Sequence, residues 1–128
     1  MALHNQIILN GYVNKPFKNT DTAIEWLKEL VNKIDMKIVQ GPYSSYVDVP
    51  GNRGITAMVM IETSHIAFHI WDEEDPALLQ FDLYTCSTLD ANLVLDEIKQ
   101  AMDLTNYEFV ILERAKGFNI TASKLSVN

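Results

Sequence analysis

Three apolar, alternating segments lie almost back to back in the middle of this chain: Ile55 to Ile61, His65 to Trp71 and Leu79 to Cys86. A turn near Thr63 and the acidic loop Asp72 to Pro76 separate them. Connections this short join antiparallel neighbours, because a parallel crossover needs a dozen or more residues. Side chains alternate along a strand, so Ile66, Phe68 and Ile70 share one face while His65, Ala67, His69 and Trp71 share the other. By the same test Leu79, Phe81 and Leu83 belong to the core face, and Gln80, Asp82, Tyr84 and Cys86 stand opposite. The polar face reads equally as an active-site floor or as an ordinary solvated sheet surface.

The flanking segments supply what covers the apolar face. Gln6 to Val13 reads as a first strand ended by Lys15-Pro16. A helix follows, with Thr22 and Glu25 in capping-box spacing and Ile24, Leu27, Leu30, Val31 and Ile34 on one stripe. A short strand, Met36 to Val39, leads through Gly41-Pro42 into a shaped loop holding Tyr43, Tyr46, Pro50, Gly51 and Gly54. A second helix from about Asp90 to Met102 carries Val94, Leu95, Ile98, Ala101 and Met102 on one side, and Tyr107 to Leu112 is a closing strand. The order is read as β-α-β-β-β-α-β, with Met36 to Val39 a short lead-in to the loop. The expected fold is an α/β (α+β) two-layer sandwich, an antiparallel sheet with both helices on one face, spanning residues 1 to 128 as one domain.

Charge narrows the partners. A formal net charge of −7 and a pI near 4.8 argue against nucleic acid or an anionic membrane and favour a cationic small molecule. No apolar run approaches the roughly 20 residues of a membrane helix, and Met1 to Asn10 lacks a signal-peptide layout, so the cytoplasm is the expected location. The single cysteine, Cys86, excludes an internal disulfide and is either a buried small residue or a reactive thiol. No metal is expected: His65 and His69, four apart on a strand, sit about 13 Å from each other, too far to share one ion with Cys86. A domain this small gains core by association, which makes a homodimer natural.

The run from Gly54 through Glu62-Thr63-Ser64-His65 to His69-Ile70-Trp71, followed by Phe81-Asp82-Leu83-Tyr84-Thr85-Cys86, resembles the core of bacterial S-adenosylmethionine decarboxylases. The family pattern is an apolar strand, Glu-Ser-His, then His-Thr-Trp-Pro-Glu, then Asp-x-Phe-Thr-Cys. The resemblance implies a self-cleaving proenzyme in which Ser64 attacks the carbonyl before it. The ester so formed breaks by elimination between residues 63 and 64, and the second piece begins with a covalent pyruvoyl group. It implies that His69 and Thr56 support processing and that Cys86 returns a proton to the decarboxylated carbon. Trp71 and Glu73 would contact substrate, with Tyr46 the nearest candidate for stacking on adenine. The implied activity is decarboxylation of S-adenosylmethionine for polyamine (spermidine) synthesis, in a homodimer with sites near the subunit boundary.

Two features depart from that pattern. Thr63 stands where the family has glutamate, with Glu62 one position earlier, and Asp72 replaces a proline in a longer loop. Two other readings follow. The acidic run Asp72, Glu73, Glu74 and Asp75 suggests a different amino-acid substrate such as ornithine or arginine, against a plain solvated turn. Thr63 suggests an unprocessed binding or regulatory homologue.

Overall fold

A computed structural model of the chain describes residues 3–125. Seven strands form one antiparallel sheet: β1 (Asn5–Val13), β2 (Ile38–Val47), β3 (Gly54–Ile61), β4 (Ser64–Trp71), β5 (Ala77–Thr85), β6 (Leu104–Glu113) and β7 (Asn119–Lys124). Their order across the sheet is β2-β3-β4-β5-β1-β6-β7. Helices α1 (Thr20–Lys33) and α2 (Ala91–Met102) cover one face, α1 against β2 and β3 and α2 against β6. The two-layer architecture agrees with the sequence reading.

The core is the one the alternation picks out. Ile66, Phe68, Ile70, Leu79, Phe81 and Leu83 are all buried, as are Leu27, Leu30 and Val31 of α1 and Val94, Leu95, Ile98 and Met102 of α2. Trp26, outside the expected stripe, fills the space above the sheet and meets Phe17, Phe68 and Phe81 edge-on or tilted. Burying these side chains, at roughly 1.5 to 3 kcal/mol each for the larger ones, is what holds the helices down.

Three details differ from the expectation. The strand expected at Met36 to Val39 runs from Ile38 to Val47, so the first part of the supposed loop, Tyr43 to Val47, is strand. Pro42 is accommodated because β2 is an edge strand and its register shifts between Gln40 and Tyr43, where no ladder N–H is required. A seventh strand, β7, follows β6 on the other edge; its residues are all exposed, which leaves no apolar period to read. The order is therefore β-α-β-β-β-β-α-β-β. Helix α1 is capped by Asn19, whose side chain accepts from the N–H groups of Asp21 and Thr22, so the Thr22 and Glu25 pair is not its cap.

Candidate active site

Antiparallel pairing lines up the open face. Thr56 pairs with His69 across β3 and β4, and His65 with Tyr84, Ala67 with Asp82 and His69 with Gln80 across β4 and β5. His69, Trp71, Asp82 and Tyr84 therefore share a face, as expected. Along β4 the candidate residues separate into two groups, Ser64 at its start and His69 with Trp71 toward its end, with Asp82 and Tyr84 between them; Cys86, expected on the same face, lies one residue past β5.

At the first end, β4 begins with Ser64, and its backbone is unusual. Ser64 has φ +142°, a region essentially reserved for glycine and costing on the order of 1 to 3 kcal/mol for other residues. The carbonyl just ahead of it, that of Thr63, accepts a hydrogen bond of 2.8 Å from the backbone N–H of Cys86. An N–H aimed at a carbonyl oxygen stabilises the negative charge that builds there when a nucleophile adds to the carbon. Cys86 itself lies one residue past β5 and is exposed, so its thiol is accessible. Thr63 turns its hydroxyl to the sulfur of Met36, 3.4 Å away.

At the other end, His69 is held from two sides. Its Nδ1 lies 2.9 Å from the Thr56 hydroxyl, and the Trp71 ring stacks on it at 5.6 Å and 28°. Trp71 is anchored in turn, its indole N–H donating to Asn52 at 2.9 Å. Glu73 is drawn to the 48–53 loop, one oxygen accepting the Arg53 backbone N–H at 3.1 Å. The Tyr46 hydroxyl donates to the Asp72 carboxylate at 2.9 Å, which raises the phenol above its ordinary pKa. Tyr46 pairs with the buried Ile55, so alternation puts it on the helix-bearing side, away from His69 and Trp71. Of the expected site residues, Tyr46 is not brought to the open face, and Glu73 lies in the loop after β4 with its carboxylate on the Arg53 N–H. Two carboxylates of the acidic loop, Asp72 and Glu73, thus already have partners within the fold.

Between the clusters lies a polar network that the sequence reading missed. Gln6 donates to Asp82 at 2.5 Å, and His65 approaches the other Asp82 oxygen at 3.3 Å. Arg114 donates to Gln6 at 2.8 Å and stacks over the Tyr84 ring at 4.4 Å, while His4 meets the Tyr84 hydroxyl at 3.0 Å. Alternation in β1 would have placed Gln6; Arg114 reaches it only because β1 sits between β5 and β6.

Comparison with known proteins fits this geometry. A family model described as S-adenosylmethionine decarboxylase matches residues 5–115. An S-adenosylmethionine decarboxylase proenzyme of Clostridium botulinum (strain Loch Maree / Type A3) is 27% identical over 114 residues, covering 88% of this chain and 93% of its own length. A protein of the same name from Bacillus velezensis is 32% identical over 65 residues, 51% of this chain and 50% of its own.

Proposed function

The chain belongs to the S-adenosylmethionine decarboxylase family, and from that premise we propose that it is a self-cleaving, pyruvoyl-dependent enzyme that decarboxylates S-adenosylmethionine for polyamine synthesis. The observation that carries this reading is the backbone at residues 63 and 64: a strained Ser64 next to a carbonyl already held by an N–H donor.

The proposed first step is an acyl shift. The Ser64 hydroxyl oxygen bonds to the Thr63 carbonyl carbon, the carbon–nitrogen bond breaks, and the hydroxyl proton ends on the freed nitrogen. Relief of the Ser64 strain favours leaving the amide. A base then removes the α-proton of residue 64, the Cβ–O bond breaks, and Thr63 leaves as a carboxylate. Loss of ammonia by hydrolysis completes a pyruvoyl end. That group supplies an electron sink when carbon dioxide departs from the substrate. Cys86, exposed beside it, delivers the proton to the decarboxylated carbon. The residues fit this cofactor, since they place a hydroxyl, a polarised carbonyl and a thiol at one strand end.

His69, with Thr56 on its Nδ1, is the proposed base. It cannot serve the Ser64 of its own chain: five residues along a strand is about 16 Å. A second copy packed open face to open face supplies it. A two-fold axis parallel to the sheets and crossing β4 near Ala67 would bring each His69 to the start of the partner's β4, where Ser64, although it pairs with the buried Thr85, also lines an open-face hollow with Tyr43, Met58, Met60 and His65, making two equal composite sites. The exposed Ile8, Tyr12, Tyr43, Met58 and Met60 give such an interface apolar area to bury. Trp71, stacked on His69, and Glu73, two residues further on, are the proposed substrate contacts. Tyr46 is the weakest of the substrate assignments because it stands on the other face. Among the described residues no helix is long and apolar enough to cross a membrane, and the proposed setting is the cytoplasm.

Release of carbon dioxide from carboxyl-labelled S-adenosylmethionine, ornithine and arginine tests the assignment. Release from S-adenosylmethionine alone is expected, and release from ornithine or arginine instead would overturn the substrate. Cys86→Ala should still be cut, because only its backbone N–H touches Thr63, yet turn over at least roughly 100-fold more slowly, as expected when a proton donor is lost. Normal turnover by Cys86→Ala would remove the thiol from its role.

A further inference from the structure

Among the described residues Thr85 is the sole polar side chain in the fully buried class, at 0% exposure. A buried hydroxyl needs a hydrogen-bonding reason to be there. Its partner is local: Oγ1 accepts the backbone N–H of Ser87 at 3.1 Å. That bond folds the chain back immediately after β5, with Cys86 at the bend. The far side of the same turn is tied to β1, where the Asn5 side chain donates to the Ser87 carbonyl at 3.2 Å.

The consequence lands on the reacting carbonyl. Ser64 and Thr85 are register partners across β4 and β5, and the flanking bond runs from the Cys86 N–H to the Thr63 carbonyl. In an antiparallel ladder that pattern makes Ser64 and Thr85 a non-hydrogen-bonded pair, the kind whose Cα atoms approach to about 4.5 Å. Thr85 therefore sits directly across from the serine that attacks. Its hydroxyl also fixes the residue whose N–H holds the carbonyl under attack.

We propose that Thr85 is a positioning residue for the acyl shift: its buried hydroxyl, by holding the Cys86–Ser87 turn, keeps the Cys86 N–H on the Thr63 carbonyl while Ser64 adds to it. This rests on the self-cleavage proposed above and names the residue that prepares its first step. Exposed or core-facing valine and threonine have nearly the same shape, so the hydroxyl can be removed with little change in packing volume.

The test follows cleavage of the full-length chain by denaturing electrophoresis, with and without hydroxylamine, which cuts an ester but leaves an amide intact. Thr85→Val is expected to self-cleave on the order of 10- to 100-fold more slowly than the unaltered chain. It should show no hydroxylamine-labile ester, because the block lies before the ester forms. Thr85→Ser, which keeps the hydroxyl, should cleave within a few fold of the unaltered chain. By contrast His69→Ala, blocked after the shift, should accumulate the labile ester. Cleavage of Thr85→Val at the unaltered rate would overturn the proposal. So would a labile ester in Thr85→Val, or a Thr85→Ser chain as slow as Thr85→Val, since the methyl packing would then matter and not the hydroxyl. If the unaltered chain itself never cleaves, the self-cleavage reading falls and Thr85 falls with it, a result separable from the others by the control alone.

Discussion

A Ser64→Ala chain and a His69→Ala chain, each inert alone, are expected to restore cleavage when expressed together. Neither variant should be cut by itself, the first for want of a nucleophile and the second for want of a base. In a mixed dimer one composite site pairs the Ser64 of the His69→Ala chain with the His69 of its Ser64→Ala partner. That site is complete. Random pairing puts half of the chains in mixed dimers, so a large share of the His69→Ala chain should break before residue 64 while the Ser64→Ala chain stays whole. Ser64 and His69 lie on one strand, β4, with about 16 Å of extended backbone between them. Cleavage of His69→Ala alone at the unaltered rate would release His69 from its role. No cleavage in the mixture, with mixed dimers verified by differential tags, would reject the composite site.

Gly54→Ala is expected to have the largest effect on stability. Gly54 opens β3 with φ +147°, and a Cβ built there would lie 1.7 Å from the Ile70 carbonyl oxygen. That oxygen belongs to the backbone of β4 and cannot swing aside as a side chain would. The start of β3 must therefore peel away from β4 beside Trp71, or Ile70 must leave the ladder. We expect a loss above about 4 kcal/mol, a large part of the roughly 5 to 15 kcal/mol that holds a domain of this kind together. Chemical denaturation read by far-ultraviolet circular dichroism measures it; a midpoint shift worth less than about 1 kcal/mol would contradict the assigned backbone geometry at Gly54. Because Trp71 stacks on His69, any variant that survives folding should also process slowly.

The layered fold was legible because its determinants are local. Alternation in β3, β4 and β5 and the stripes on both helices name most of the buried residues, although Ile24 and Ile34 are only partly covered and Ala23 and Trp26 take buried places outside the stripe, and the short connections fix the antiparallel order. What escaped was set by neighbours distant in sequence. Polar Ser44 and Ser45 and the proline at 42 hid the length of β2, whose strand character comes from pairing with β3. β7 has no buried side to betray it. At the site, Ser64, His69, Thr56 and Cys86 were all named from motifs, and the Thr56–His69 contact joins two of them. Their division between two ends of β4 follows from residue counting alone, yet becomes meaningful only once both are seen on one straight strand. The strain at Ser64 and the N–H on the Thr63 carbonyl are properties of backbone geometry, and no residue type announces them.

The central proposition is that residue 64 turns a peptide link into a ketone. Intact-mass measurement of the purified chain after denaturation tests it most directly. Two pieces are expected, residues 1–63 and 64–128, the second lighter by one ammonia than a piece starting with serine and reactive toward a carbonyl reagent such as phenylhydrazine. A single mass equal to the whole uncut sequence, unreactive toward that reagent, would contradict it.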